Sequence, residues 1–274
     1  MPKVIDLSSY GTNIYLAGDI HGQPESMAGN IRKMDARNAA IIILGDVGLG
    51  FSGNHCGCVP FLNRIGKDRN NHFYLIRGNH DNPESWTDEV IAEVKKKYEK
   101  SPKRSVTNVH WLNDFDTVIV NGKKLLVLGG AVSIDRKYAV TKIIMGVYFN
   151  FPRPEGKSWW KNETLPYDGI EKIDSEYYGI LAHTGPTPPS LERSKMIETI
   201  KEKYDPEIVD DVNRERQAID TVIEKAKPRY WFNGHYHVQY TSIHAQGDRW
   251  FKYNGVEVAN LGIDEIQRLD HYDF

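Results

Sequence analysis

The chain has 274 residues, 40% hydrophobic and 26% charged, with a formal net charge of −2; that length carries ample core for an α/β enzyme, and 1–274 is read as a single domain. The mixed charge leaves no basic footprint for duplex nucleic acid, although it does not exclude nucleic acid as a substrate. No segment approaches the roughly 20 apolar residues of a membrane span, and Met1-Pro2-Lys3-Val4-Ile5-Asp6 has no long apolar region for export, so a cytoplasmic protein with no membrane partner is expected.

The first apolar run, Ile14 to Ala17, stops at Gly18-Asp19-Ile20-His21-Gly22, and short apolar runs bounded by glycine read as buried strands. Pro24 to Met34 follows as a crossover helix, and Ala40 to Leu44 is the next strand, ending at Gly45-Asp46. A second helix, Cys58 to Gly66, leads to the strand Phe73 to Ile76 and to Gly78-Asn79-His80-Asp81. This βαβαβ start makes the three strands parallel. Cys56 and Cys58 are the only cysteines; residues two apart would strain a disulfide, and with His55 they lack a fourth metal ligand, so reduced loop thiols are expected. Arg77 reads as half of a structural ion pair, Lys95-Lys96-Lys97 as a solvated helix face, and Ser101-Pro102-Lys103 as a loop.

Thr117 to Leu128 is a hairpin on an Asn121-Gly122 turn, and it ends at Gly129-Gly130. Residues 135–176 form an insertion bearing Tyr138, Tyr148, Phe149, Phe151, Trp159 and Trp160; it serves either as a lid that chooses substrate or as a cover for the sheet. Arg136, close behind Gly129-Gly130, is the basic residue expected to contact phosphate. Gly179 to Ala182 delivers His183, with Thr184-Gly185-Pro186 as a rigid turn. Asp205 to Lys227 is an amphipathic helix with Val209, Val212, Ile219 and Ile223 on one side, stopped by Pro228. Tyr230 to Phe232 then leads to Gly234-His235-Tyr236-His237, and Trp250 to Val258 repeats the hairpin device at Asn254-Gly255. Two mixed sheets packed together and flanked by helices are the expected result.

Ligands of open α/β sheets bind beyond the carboxyl ends of strands, so the polar groups that end these runs should meet at one edge. Asp19, His21, Asp46, Asn79, His183, His235 and His237 are two carboxylates, one amide and four imidazoles. Mixed oxygen and nitrogen donors suit Mn²⁺, Fe or Zn²⁺ better than Mg²⁺ or Ca²⁺. Seven donors are too many for one ion that keeps a water position, so two divalent ions are expected, most readily Mn²⁺. Their charge exceeds that of two aspartates, and the surplus draws in a phosphate.

The order Asp-x-His, Gly-Asp, Gly-Asn-His-Asp, lone His, Gly-His-x-His resembles the calcineurin-like metallophosphoesterase superfamily, over residues 14 to about 238. The resemblance implies that superfamily's four-layer α/β/β/α sandwich. It also implies that Asp19, His21 and His237 hold one metal, that Asn79, His183 and His235 hold the other, and that Asp46 bridges them. A carboxylate can span two cations roughly 3.5–4 Å apart. Hydrolysis by a metal-bridging hydroxide is implied, because a bound ion lowers the pKa of water from about 15.7 to about 7, and His80 is implied as the acid that protonates the leaving oxygen. The protein Ser/Thr phosphatase branch carries Asp-Arg where this chain has Leu49-Gly50, and a Glu where it has Asp81. Both differences argue against protein phosphatase activity. The expected function is a stand-alone, bacterial or phage-type phosphoesterase acting on phosphomonoesters, with a phosphodiesterase or nuclease, and a non-catalytic scaffold of the same fold, as alternatives.

Overall fold

The computed structural model describes residues 2–99, 101–138, 140–144, 147–192, 196–237, 247–263, 265–272 and 274. The amino-terminal part runs β1 (Val4–Asp6), β2 (Ile14–Ala17), α1 (Pro24–Lys33), β3 (Ala40–Ile43), α2 (Val59–Arg69), β4 (His72–Leu75), α3 (Asp88–Tyr98) and β5 (Val109–Trp111). β2, β3, β4 and β5 pair in parallel in that order, so the expected βαβαβ start is present and continues by one more unit. The first two crossover helices, α1 and α2, begin with proline in the first turn, where the missing N–H costs no hydrogen bond. α2 runs three residues past Gly66 to Arg69, stopping where Asn70 turns left-handed (φ 55°).

The second sheet is built from β6 (Thr117–Val120), β7 (Lys123–Leu128), β10 (Gly179–Ala182), β11 (Tyr230–Asn233), β12 (Trp250–Tyr253) and β13 (Val256–Asn260), together with β1. Its order is β1-β6-β7-β10-β11-β13-β12. The β6–β7 hairpin turns on Asn121 (φ 49°) and Gly122 (φ 78°), and the β12–β13 hairpin on Asn254 (φ 48°) and Gly255 (φ 85°). Positive φ at both central residues matches strand twist, and Asn-Gly supplies it at low cost. β14 (Ile266–Arg268) returns to pair antiparallel with β2 and completes a five-stranded first sheet, β14-β2-β3-β4-β5. β8 (Val140–Ile144) and β9 (Val147–Phe151) form a separate two-stranded ribbon.

Side chains on a strand alternate between its faces, and both sheets are buried on both faces. In β2, Ile14 and Leu16 point to the other sheet while Tyr15 and Ala17 point to α1 and α2. In β11, Tyr230 and Phe232 join the core between the sheets, and Trp231 faces the outer core with Ile219 and Val222 of α7 (Ile208–Ala226). Three stacked cores separated by two sheets are the four layers that the resemblance implied. α7 starts three residues later than its apolar pattern predicts and ends at Ala226, where Lys227 turns left-handed (φ 47°). Three short helices complete the chain, α4 (Tyr167–Ile170), α5 (Pro189–Glu192) and α6 (Met196–Lys203). Among the described residues no helix is long and apolar enough to cross a membrane.

Candidate metal centre

Parallel strands place their carboxyl ends together, and the polar groups leave from those ends. Asp19 follows β2, Asp46 follows β3, Asn79 and His80 follow β4, His183 follows β10, and His235 and His237 follow β11. The loops are sharply turned: His21 (φ 44°), Asp46 (φ 50°), His235 (φ 65°) and His237 (φ 49°) all adopt the left-handed region. Each such non-glycine residue costs on the order of 1–3 kcal/mol and persists only where its surroundings hold it. Close approach explains two of the glycines. A Cβ on Gly78 would collide with Asp46, and one on Gly234 with the Asp19 carboxylate.

Two groups of donors result. In the first, the ligand atoms of Asp19, His21, Asp46 and His237 all lie within 4.8 Å of one another. His237 Nε2 is 3.0 Å from Asp19 Oδ2 and 2.9 Å from His21 Nε2. In the second, Asn79 Oδ1 is 2.8 Å from His183 Nε2 and 3.1 Å from His235 Nδ1. Asp46 stands between them, with Oδ1 3.3 Å from His183 Nε2 and Oδ2 3.7 Å from His21 Nδ1.

The orientation of the second group suits a cation. Leu44 O can only accept, so His183 Nδ1, 2.7 Å away, carries a proton, and Nε2 is the ring atom that can offer a lone pair to a cation. The Asn79 amide donates its N–H to Ser133 Oγ at 2.9 Å, which turns Oδ1 toward the histidines. His183 Nε2 faces Asn79 Oδ1 at 2.8 Å and Asp46 Oδ1 at 3.3 Å, and the latter also accepts from the His80 N–H. A positive ion is what such a set binds.

Burial by itself would lift both carboxyls, since it disfavours their charged form. Asp19 is nonetheless held at about 2 by His183, His237 and His21. Asp46, equally buried, is pushed well above the usual range, first by burial and then by the Asp19 charge. Burial, followed by the neighbouring His183, takes His235 down to about 3, and burial lowers His21. These imidazoles are neutral, the state that coordinates metal. His237 moves the other way because it is hydrogen-bonded to Asp19.

His80 lies beside the cluster, its Nε2 4.0 Å from Asp46 Oδ2, with the exposed ring of Phe51 stacked against it at 6.1 Å. Its other nitrogen, Nδ1, meets Arg153 Nη2 at 3.2 Å. Arg153 is buried and also donates to Asp135 Oδ1 at 2.8 Å, to Ser133 Oγ at 3.2 Å and to the Ser158 carbonyl. A guanidinium has no acceptor, so His80 Nδ1 must accept and its proton sits on Nε2, on the side of the metal cluster. Burial, then the Arg153 charge, take His80 down to about 2.

Sequence reasoning missed Arg153, the buried basic residue that meets His80; Arg136, the basic residue expected at phosphate, is engaged elsewhere. The Arg136 guanidinium is held instead by Asp205 at 2.7 Å and Asp211 at 2.6 Å, a correction that follows from the acidic residues flanking the start of α7. Where Asp-Arg was absent, Leu49 is fully buried and its N–H donates to Asp81 Oδ1 at 2.8 Å. Asp81 also accepts from Gly78, Val47 and Gly48 N–H groups at 2.8, 3.1 and 2.6 Å, tying the Asp46 loop to the Asn79 loop. As expected, Arg77 is structural, bonded to Asp114 at 3.2 Å and to the Glu163 and Thr164 carbonyls. Gly129-Gly130 contributes no ligand; Gly129 N–H binds Asp114 at 2.6 Å. His55 pairs with Ser85 and the Cys58 thiol with the Val47 carbonyl, while both cysteines are free. In the insertion Trp159 and Trp160 are buried as a cover, whereas the side chains of Tyr148 and Phe149 lie outside the described residues.

The family profile described as calcineurin-like phosphoesterase matches residues 12–239. No curated protein matches the chain. Among solved structures, a protein serine/threonine phosphatase from Saccharomyces cerevisiae, described as similar to human phosphatase PP5, is 14% identical. The match covers 95% of this chain and 70% of that one, and its TM-score of 0.32 is too low to carry an argument.

Proposed function

Because the chain belongs to the calcineurin-like phosphoesterase family, we propose that it hydrolyses phosphomonoesters at a pair of divalent ions, with Mn²⁺ the preferred metal and Fe or Zn²⁺ the alternatives. The observation that carries this reading is the placing of Asp46, which turns one oxygen toward His183 and the other toward His21. Asp19, His21 and His237 would hold one ion; Asn79, His183 and His235 would hold the other. When bound, the ions would supply charge to the phosphoryl oxygens and activate the attacking water.

The remaining chemistry belongs to the chain. Leu44 O and Ser133 Oγ lock His183 and Asn79 with their acceptor atoms facing inward. Arg153 locks His80 with its Nε2–H toward Asp46. A neutral His80 then serves as a hydrogen-bond donor to the departing oxygen, in place of the imidazolium acid that the resemblance suggested. Its help grows with the basicity of that oxygen. Elemental analysis together with turnover of an aryl phosphate, before and after chelation and Mn²⁺ add-back, tests the reading. Two ions per chain with activity lost and regained is the expected outcome; full activity with one ion would overturn the pair.

A further inference from the structure

A cleft of about 310 Å³ opens from the metal cluster, with Asp46, Asn79, His80, His235 and His237 along one wall. Its lining also includes an apolar group. Val132 and Ile134 come from the loop after β7, Met196 and Ile197 from α6, and Val212 from α7; these residues belong to one small hydrophobic cluster. The acids that line the cleft are engaged by the protein. Asp135 is paired with Arg153 at 2.8 Å, and Glu215 accepts from Val132 N–H at 2.8 Å and from Thr184 Oγ1 at 3.2 Å. Arg216 is the one lysine or arginine lining it among the described residues, and its Nε donates to Thr187 at 3.4 Å.

We propose that this cleft is the leaving-group pocket, and that the substrates are monoesters of compact apolar alcohols, alicyclic or aryl, in preference to phosphoamino acids or nucleotides. The inference rests on the phosphomonoesterase reading above. Size supports it: a dry cavity of about 150 Å³ holds benzene, and a cleft of about 310 Å³, part of which the ions and the phosphate would fill, suits a single ring. Chemistry supports it as well. Apolar lining rewards each methylene placed on it, whereas a charged leaving group would have to lose its hydration there with Arg216 as the one lysine or arginine of the lining among the described residues. Position supports it as well, because His80 and the apolar residues line the same cleft, and the ester oxygen must lie between the phosphorus and the pocket. In the reaction the water oxygen bonds to phosphorus, the P–O bond to the alcohol breaks with its electron pair going to the alcohol oxygen, and the proton given up by the water ends on that oxygen, which leaves as the alcohol.

The test compares cyclohexylmethyl phosphate with O-phosphoserine under Mn²⁺, both alkyl esters, so that intrinsic reactivity does not decide. The expected kcat/KM preference for the cyclohexylmethyl ester is about tenfold or more, since one methylene in an apolar pocket is worth about tenfold or more. Val212→Phe, which fills the pocket, and Ile197→Asp, which charges a half-buried position, should each cut that preference to near parity while Tm shows both variants folded. Cyclohexylmethanol alone, added to the wild-type protein, should shift the NMR methyl signals of Ile134, Met196 and Val212. Equal kcat/KM for the two esters, or a preference that survives both variants, overturns the pocket. If the alcohol binds as expected and no monoester is turned over with any divalent metal, the phosphatase reading fails while the pocket stands; turnover without methyl shifts is the reverse.

Discussion

Asp46 is the residue on which the two halves of the cluster depend. An amide in its place lacks the charge that holds two cations together, so Asp46→Asn should lose more bound metal and more turnover than Asn79→Ala, measured side by side by elemental analysis and kcat. Arg153 acts through His80. Arg153→Gln should lower kcat on an alkyl phosphate by about tenfold or more, with a smaller loss on p-nitrophenyl phosphate, whose leaving group needs less help. Arg153→Lys should restore part of it, and KM should move little in either variant. A loss of equal size on both substrates would make Arg153 a mere packing residue. The seven residues whose polar groups meet beyond the strand ends were legible because each is a metal-binding type placed just beyond an apolar run. Arg153 was not, because it is 73 residues from His80 in the chain and its place is set by a loop path through Ser158 and Trp159, which has no period to read. Arg136 lies close behind Gly129-Gly130 in sequence, but that nearness carries no trace of Asp205 and Asp211, which hold it.

Among the elements, the strands with the clearest signal were those buried on both faces, such as β3, whose four residues are all inaccessible. The Asn-Gly hairpins were equally plain. Short or half-exposed strands left less trace: β14 is three half-buried residues, Ile266 to Arg268, and only the tertiary fold tells that it pairs with β2. At the other side of that sheet, β4 and β5 bring His72 Nδ1 within 2.9 Å of His110 Nε2, and His110 stacks on Tyr74. Burial, then His72, push His110 down from its ordinary 6.5 to about 4. The fold thus favours the neutral ring: the contribution is complete above pH 6.5 and is lost as pH falls from there toward 4. Thermal melts across that range should decline more steeply for the wild-type protein than for His110→Gln; parallel curves would remove His110 as the cause.

At the scale of the whole molecule, the cluster joins the two sheets at their carboxyl ends, so ions bound there cross-link the layers. A ligand that binds only the folded state at about 100 times its dissociation constant adds about 2.7 kcal/mol, and a chain of this size gains roughly 2–4 °C per kcal/mol. Each tightly held ion should therefore raise Tm by about 5–10 °C. Calorimetry with Mn²⁺ and with chelator checks this, and Asp46→Asn should abolish most of the difference; an unchanged Tm would mean that the cluster does not hold metal in the folded protein.

The wide spacing of the cluster along the chain also fixes when it can form. Asp19 and His237 are 218 residues apart, and at about 5–20 residues per second a ribosome takes roughly 10–40 s to make that stretch. Throughout that interval a nascent chain carries its two aspartates without the histidines that follow β11, and the sheet bearing them still lacks β14 at its edge. The full donor set therefore exists only once His237 has been made and β11 has paired with β10, and a chain stalled before that point would carry the acidic loops without those histidines.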